Sequence, residues 1–184
     1  MARILIASDI HGDANTAERL VEIYEASGAE KLLLLGDILY HGPRNDLPSH
    51  YAPKEVIELL NGMKNEILAV RGNCDTEVDQ MVLTFPILAD YAVIWADGVC
   101  IYTTHGHNYN TESLPPLSAH DVLLHGHTHV LTATPFGNNN YYLNPGSVTL
   151  PKNGNPKTYA IIENGIFTVK TLDGNEILSQ DLKA

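Results

Sequence analysis

Short apolar runs divide the first part of the chain, and each run ends in a polar segment. Residues 3–8, 31–35 and 66–70 are rich in aliphatic side chains and have the length of buried strands. Helices are predicted between these strands: one that ends at Gly28, and one that begins at Pro53 and reaches about Asn61. This alternation predicts an α/β fold with a mostly parallel sheet and crossover helices.

The second part of the chain has a different pattern. Residues 91–95 and 99–104 are strand candidates that flank Asp97-Gly98, a dipeptide typical of hairpin turns. Residues 121–125 are a further strand candidate, and Asn164-Gly165 predicts another hairpin. We therefore expect antiparallel sheet in this part of the chain.

The composition is that of an ordinary globular protein, with 44% hydrophobic and 18% charged residues. Because no linker separates the two parts of the chain, we expect a single domain over residues 1–184. No apolar stretch has the length of a membrane span, and the N-terminal residues lack the features of a signal peptide. We therefore expect a cytoplasmic protein. Its two cysteines, Cys74 and Cys100, are too few for a cysteine-rich zinc site, and a reducing compartment disfavours a disulfide between them.

The formal net charge of −11 limits the possible partners. Non-specific binding to nucleic acid or to an anionic membrane needs a cationic surface, so neither is expected. A small phosphate-containing substrate remains compatible with this charge, because bound divalent cations reverse the local field. Homo-oligomers are left open.

Polar side chains of the kind that bind metal ions follow most of the predicted strands. Because ligands of α/β sheets bind outside the carboxyl ends of the strands, we expect residues distant in sequence to converge there. Two carboxylates, one amide and four imidazoles suit ions such as Mn, Fe, Zn, Co or Ni, and they are enough for two ions that share a carboxylate. The seven candidates are Asp9, His11, Asp37, Asn73, His105, His127 and His129.

Each of these motifs has an ordinary structural explanation when it is taken alone. An Asp-x-His pair is a weak signal, and Gly-Asp or Gly-Asn-x-Asp segments are common in turns. Gly126-His127-Thr128-His129 is more specific, because alternate residues of an extended segment point to the same side. The order and placement of all the motifs together favour a metal site.

The same motifs resemble those of the calcineurin-like metallophosphoesterase superfamily. They are Asp9-x-His11, Gly36-Asp37, Gly72-Asn73-x-Asp75, His105-Gly106 and Gly126-His127-x-His129. Segments 36–45, 71–75 and 144–147 further resemble the small bacterial phosphodiesterases of the YfcE type. The resemblance implies a β-sandwich of two mixed sheets flanked by helices on both faces.

The resemblance also implies a role for each candidate ligand. Asp9, His11, Asp37 and His129 would hold a first metal ion, Asp37 would bridge, and Asn73, His105 and His127 would complete the site of a second ion. Manganese is the favoured metal, with Zn, Fe, Ni and Co as alternatives. The implied activity is phosphodiester hydrolysis by a metal-bound hydroxide, with Asp37, Asn73 and His105 serving catalysis.

Two positions depart from the superfamily pattern. Cys74 stands where many members have a histidine that helps the leaving group depart, and Tyr40 stands where many have an aspartate. A thiol substitutes poorly for an imidazole, so a diester with a good leaving group is expected rather than a phosphomonoester. Arg44 and His107 are candidate substrate contacts.

Two other functions remain as alternatives. A retromer subunit shares this fold and serves as an interaction scaffold, but a scaffold would tolerate the loss of metal ligands, and all seven positions here carry metal-competent residues. A phosphomonoesterase is the second alternative, and a comparison of leaving groups separates it from a diesterase.

Overall fold

The computed structural model describes residues 2–183, which form two β-sheets and three helices. The elements of the first part are β1 (Arg3–Ala7), α1 (Ala14–Ser27), β2 (Lys31–Leu34), α2 (Pro53–Gly62), β3 (Ile67–Ala69) and α3 (Glu77–Val82). The second part contains β4 (Tyr91–Ala96), β5 (Val99–Thr104), β6 (Val122–His125), β7 (Thr132–Phe136), β8 (Asn140–Asn144), β9 (Thr158–Glu163), β10 (Ile166–Thr171) and β11 (Glu176–Asp181).

The two sheets have the strand orders β11-β10-β9-β1-β2-β3 and β4-β5-β6-β8-β7. In the first sheet β1, β2 and β3 are parallel neighbours, as predicted. The C-terminal strands β9, β10 and β11 are antiparallel and extend this sheet beside β1. Each sheet therefore mixes parallel and antiparallel pairs.

The centre of the second sheet differs from the prediction. β5, β6 and β8 are parallel to one another, so the prediction of antiparallel sheet is wrong for these three strands. The physical reason lies in segment 105–121, which returns the chain from β5 to a parallel β6 without a regular helix. A parallel pair needs such a crossover, but this one has no helical periodicity that the sequence would reveal.

One hydrophobic core lies between the two sheets. Ile6 and Leu33 from the first sheet belong to the same buried cluster as Ile101, Leu124 and Leu143 from the second. Each of these side chains has less than a tenth of its surface exposed, and burial of one aliphatic side chain stabilises the fold by about 1.5–3 kcal/mol. The β-sandwich is confirmed.

A second core lies on the outer face of the first sheet. Because successive strand residues point to opposite faces, Leu5 and Leu34 turn away from the sandwich and meet Leu20 of α1 and Leu60 of α2. None of the residues of α3 is buried. Within residues 2–183, the helices that contribute buried side chains therefore cover the first sheet only.

Several element ends follow from local chemistry. The Asp13 side chain caps α1 by accepting the N–H of Thr16, and α1 ends at Gly28, which has a left-handed φ of 69°. α2 begins with Pro53, as predicted. Asp97-Gly98 and Asn164-Gly165 both adopt positive φ and join β4 to β5 and β9 to β10. Among residues 2–183 no helix is long and apolar enough to cross a membrane.

Candidate active site

The seven predicted ligands all lie just beyond the carboxyl ends of parallel strands. Five loops carry these residues. Three of the loops follow β1, β2 and β3 of the first sheet, and the other two follow β5 and β6 of the second sheet. The loops of the two sheets meet at one edge of the sandwich, where buried groups of Asp and His side chains bring their ligand atoms within 4.8 Å of one another. The strand ends thus bring together residues from more than 100 positions apart in the sequence.

The first group of donor atoms centres on Asp9. His129 Nε2 lies 3.2 Å from Asp9 Oδ1, and His11 Nε2 lies 3.6 Å from the same oxygen. The two Nε2 atoms are 3.3 Å apart. Asp37 Oδ2 lies 3.8 Å from His11 Nε2 and closes the group. These are the four residues predicted for the first ion.

The second group contains the remaining candidates and shares Asp37. His105 Nε2 lies 3.5 Å from Asp37 Oδ2 and 3.1 Å from Asn73 Oδ1. His127 Nδ1 lies 3.2 Å from His105 Nε2. Asp37 Oδ2 therefore stands between the two groups, in the position of a bridging oxygen.

The spacing of these atoms fits coordination of metal ions. Coordinating bonds of about 2.1 Å place the donors of one ion roughly 3–3.5 Å apart. The observed separations run from 3.1 to 3.8 Å. Asp9 Oδ1 is buried and has no hydrogen-bond partner among residues 2–183. A buried carboxylate oxygen without a donor is costly, and a bound cation would satisfy it.

Three of the histidines are oriented by backbone carbonyl groups. Each ring places Nδ1 on a carbonyl oxygen and so presents Nε2 to the centre, which is the usual way in which a protein fixes the tautomer of a metal-binding histidine. The pairs are His11 with Tyr40 at 2.8 Å, His105 with Leu35 at 2.6 Å, and His129 with Leu150 at 2.5 Å.

The buried carboxylates give the centre a strong preference for positive charge. Burial by itself would lower the pKa of His105, but the adjacent Asp37 and the charge of Asp9 outweigh it and raise that pKa to about 9. Burial would raise the pKa of Asp9, yet the adjacent rings of His11 and His129 hold it well below its ordinary value. The centre therefore attracts protons or cations.

Five of the seven candidate ligands adopt a left-handed backbone. Asp and His visit this region more often than most residues, but each instance costs on the order of 1–3 kcal/mol unless the surroundings compensate. The φ angles are 62° for Asp9, 51° for His11, 54° for Asp37, 64° for His127 and 61° for His129. Such sharp turns let residues two positions apart both reach the centre.

Glycines let the ligand loops touch one another. A Cβ atom on Gly72 would collide with the Asp37 side chain, and one on Gly126 would collide with the Ser8 hydroxyl and approach Asp9. Ser8 Oγ donates to Asp9 Oδ2 at 2.6 Å. Glycine is therefore required at both positions for the loops to approach this closely.

Asp75 ties together the two loops that meet at Asp37. Its carboxylate accepts the backbone N–H groups of Asp37, Ile38 and Gly72 at 2.8, 2.9 and 2.7 Å. Burial raises the pKa of Asp75 to about 6, against the effect of these three donors, so the group is still mostly ionised at neutral pH. Asp75 thus has the contacts of a residue that orients the loop of Asp37.

Cys74 is a buried thiol beside the centre. Its backbone N–H donates to Asp37 Oδ1 at 2.8 Å, which leaves Asp37 Oδ2 to face His11 and His105. Burial raises the pKa of the Cys74 thiol, and the negative charge of Asp37 raises it further. Cys74 Sγ lies close enough to His11 and Asp37 to form a donor group, but a thiol becomes a metal ligand or a nucleophile only once it has lost its proton.

Asn144, which sequence reasoning did not assign to the site, supports the loop of His127 and His129. Its side chain is fully buried, and its amide nitrogen donates to Gly126 O at 2.9 Å and to Thr128 Oγ1 at 3.0 Å. These bonds hold the segment between the two histidines. The only sequence signal was the segment Asn144-Pro145-Gly146-Ser147, which by itself is typical of a turn.

A cleft of about 420 Å³ opens on the centre. Asp37, Asn73, His127 and His129 reach it from the candidate ligands. The other lining residues are Gly42, Pro43, Arg44, Asn45, Cys74, Thr128 and Lys152. Arg44, a predicted substrate contact, thus lines this cleft together with Lys152.

His107, the other predicted substrate contact, is not among the residues that line this cleft. Its ring centroid is 5.4 Å from that of His105 and 6.3 Å from that of His127. Burial lowers the pKa of His107, and the charge of His105 acts in the same direction. The position suits a neutral ring beside the second group of donors.

Comparisons with known proteins agree with this geometry. Residues 2–165 match the family model described as the calcineurin-like phosphoesterase superfamily domain. The chain belongs to this superfamily. Phosphodiesterase YfcE from Escherichia coli (strain K12) is 46% identical to it over 180 residues, which are 98% of this chain and 97% of YfcE. The predicted family resemblance is confirmed.

Solved structures of other proteins have the same fold. The structure of the phosphoesterase Yfce from E. coli matches with a TM-score of 0.94 at 45% identity, over 98% of this chain and 99% of that chain. Vps29 from Entamoeba histolytica, solved in complex with Zn²⁺, matches with a TM-score of 0.61 at 21% identity, over 98% and 99% of the two chains. At the latter identity the similarity shows the fold alone.

Proposed function

We propose that the chain is a metal-dependent phosphodiesterase whose active site holds two divalent ions. The observation that carries this proposal is the shared oxygen Asp37 Oδ2, which lies 3.8 Å from His11 Nε2 and 3.5 Å from His105 Nε2. The two nitrogens belong to separate groups of donors. Paired ions about 3.5–4 Å apart can clamp a phosphoryl group between them, and a shared carboxylate oxygen is suited to that spacing.

Two further observations support a diester as the substrate. YfcE, which is 46% identical over nearly the whole chain, is named a phosphodiesterase. The thiol at position 74 is buried with a raised pKa, so it donates a proton poorly to a departing oxygen. We therefore expect a substrate whose leaving group departs without help from a protein acid.

The residues of the chain bind and orient, and the ions supply the reactive chemistry. When bound, divalent ions lower the pKa of a water ligand and offset the charge that develops on the phosphoryl oxygens. We assign Asp37, Asn73 and His105 to the catalytic step, because Asp37 and Asn73 line the cleft and His105 Nε2 lies within 3.5 Å of an oxygen of each. Arg44, in the lining of the same cleft, is assigned to substrate binding.

Manganese is the metal that we propose for this site. Three donor types meet here, namely carboxylate, amide and imidazole, and such a mixture accepts Mn and also Zn, Fe, Co or Ni. The superfamily is metal-dependent, and the groups of buried ligands described above have room for ions of this kind.

A comparison of two substrates with one leaving group tests the function. Chelator-treated protein, reconstituted with Mn²⁺, should hydrolyse bis(4-nitrophenyl) phosphate with a higher kcat/KM than 4-nitrophenyl phosphate. Asp37→Asn should lower kcat on the diester by about 100-fold or more, because an amide cannot supply a bridging anionic oxygen. The exposed Asp173→Asn, which makes the same chemical change away from the site, should keep full activity.

Other outcomes would replace the proposal with one of its alternatives. Faster hydrolysis of the monoester would identify a phosphomonoesterase. A folded protein that binds Mn²⁺ yet hydrolyses neither substrate would favour the alternative of an interaction scaffold with this fold.

A further inference from the structure

Two cationic side chains in the cleft lack carboxylate partners. Arg44 and Lys152 are exposed, and both line the cleft of about 420 Å³. Within residues 2–183, no Asp or Glu oxygen lies within 4.0 Å of either charged group. Both cations therefore face the cleft without a fixed counter-charge.

Among the arginines within residues 2–183, Arg44 is unusual in lacking a carboxylate partner. The chain has 22 acidic residues and only 11 basic ones, so carboxylates are abundant on its surface. Each of the other arginines has a glutamate partner: Arg3 with Glu163 at 2.7 Å, Arg19 with Glu22 at 2.7 Å, and Arg71 with Glu77 at 3.6 Å. Arg44 is the exception within residues 2–183, and it is the arginine in the lining of the cleft.

The backbone fixes the base of both side chains beside the candidate metal centre. The N–H of Lys152 donates to the carbonyl of His129 at 3.1 Å. The loop of Arg44 is closed by Asn45, whose amide donates to His41 O at 2.8 Å. Arg44 and Lys152 are 108 positions apart in the sequence, and both line the same cleft.

We propose that Arg44 and Lys152 bind a second anionic group on the substrate, outside the scissile phosphodiester. This inference rests on the proposed function. A diester carries one negative charge, and the ions at the centre would engage its oxygens. The positive charges of Arg44 and Lys152 would repel those ions. An additional anion bound in the cleft would offset this electrostatic repulsion. The substrate class is therefore a phosphodiester with a further phosphate on one of its ester arms, which suits the forked guanidinium and the ammonium group.

A matched pair of substrates tests the inference. Thymidine 5′-(4-nitrophenyl phosphate) and its 3′-phosphorylated form have the same scissile bond and the same leaving group, and they differ only in the second phosphate. For the Mn²⁺-loaded wild-type protein we expect kcat/KM to be at least about tenfold higher for the phosphorylated form, as two charge-assisted contacts would give. The preference should shrink at high salt, because both cations are exposed.

Charge-reversal variants assign that preference to these residues. Lys152→Glu and Arg44→Glu should each lower the ratio of the two kcat/KM values by about fivefold or more. Lys64→Glu makes the same change in net charge at an exposed position outside the cleft, and it should keep the wild-type ratio.

The outcomes separate this inference from the proposed function. Hydrolysis of the plain diester without a preference for the phosphorylated form would overturn the inference and leave the function standing. A preference that survives both charge reversals would also overturn it, as would an equal loss on both substrates, which would place the cations on the scissile phosphate. Hydrolysis of neither substrate would overturn both proposals.

Discussion

The Ser147 hydroxyl donates to the backbone carbonyl of Asp9 at 3.1 Å, across 138 positions of sequence. The hydroxyl oxygen of Ser147 also accepts the backbone N–H groups of Thr149 and Leu150, at 3.2 and 2.8 Å. The neighbouring Thr149 hydroxyl donates to Ile10 O at 2.8 Å. The segment after β8 thus fixes the loop after β1, although it contributes none of the seven candidate ligands itself.

Ser147→Ala should weaken both the fold and the metal centre. It leaves the Asp9 carbonyl and two N–H groups without their buried partner, which costs on the order of 1–3 kcal/mol. Because Asp9 shifts with its backbone, Mn²⁺ affinity should fall by about tenfold. Thermal unfolding and calorimetric titration of Mn²⁺ measure the two effects. Ser113→Ala, at an exposed position, is the control. Unchanged affinity in a destabilised Ser147→Ala protein would mean that the serine supports the fold alone.

Asp75→Asn should affect the centre through Asp37. An amide has one acceptor oxygen and presents N–H groups of its own, so it cannot accept all three backbone N–H groups that Asp75 accepts. We expect a loss of Mn²⁺ affinity of about 10- to 100-fold, as is typical when a partner of a metal ligand is removed. The comparison is calorimetric titration of this variant beside Asp173→Asn. Equal affinities would show that Asp75 does not orient the bridging carboxylate.

Cys74 tests the account of the leaving group. Because the thiol is buried with a raised pKa, Cys74→Ala should change hydrolysis of bis(4-nitrophenyl) phosphate by less than about threefold. Cys74→His should raise the rate on diesters with alkyl leaving groups relative to nitrophenyl ones, since general acid catalysis typically contributes about 10²–10⁴-fold. Metal content and thermal unfolding check that both variants are intact. A loss of around 100-fold in Cys74→Ala with metal content retained would give the thiol a catalytic role.

The sequence predicted the parts of the site that carry their own chemical signal. Asp37 and His105 are metal-binding residue types that follow predicted strands, and the structure brings the strand ends together. Hairpins such as that at Asp97-Gly98 were predictable because two residues with positive φ leave a clear signature.

What the sequence could not predict depends on distant partners. Asn144 and Ser147 are polar residues in a turn-like segment, and their roles emerge only when the loops after β1 and β6 lie against them. Lys152 gains its role from its place in the cleft. The helix α3 was missed because it is only six residues long and buries none of them, although Val78, Met81 and Val82 have helical spacing and Thr76 and Asp79 form a capping box.

The most direct test of the account is the number of metal ions per chain. Protein freed of metal with a chelator, saturated with Mn²⁺ and separated from unbound ions should contain close to two Mn²⁺ per chain, because two donor groups share Asp37 Oδ2. Asp37→Asn, measured in parallel, should contain fewer. Diesterase activity should rise to its maximum only as the second ion binds. A stable content near one Mn²⁺ per chain with full activity would contradict it.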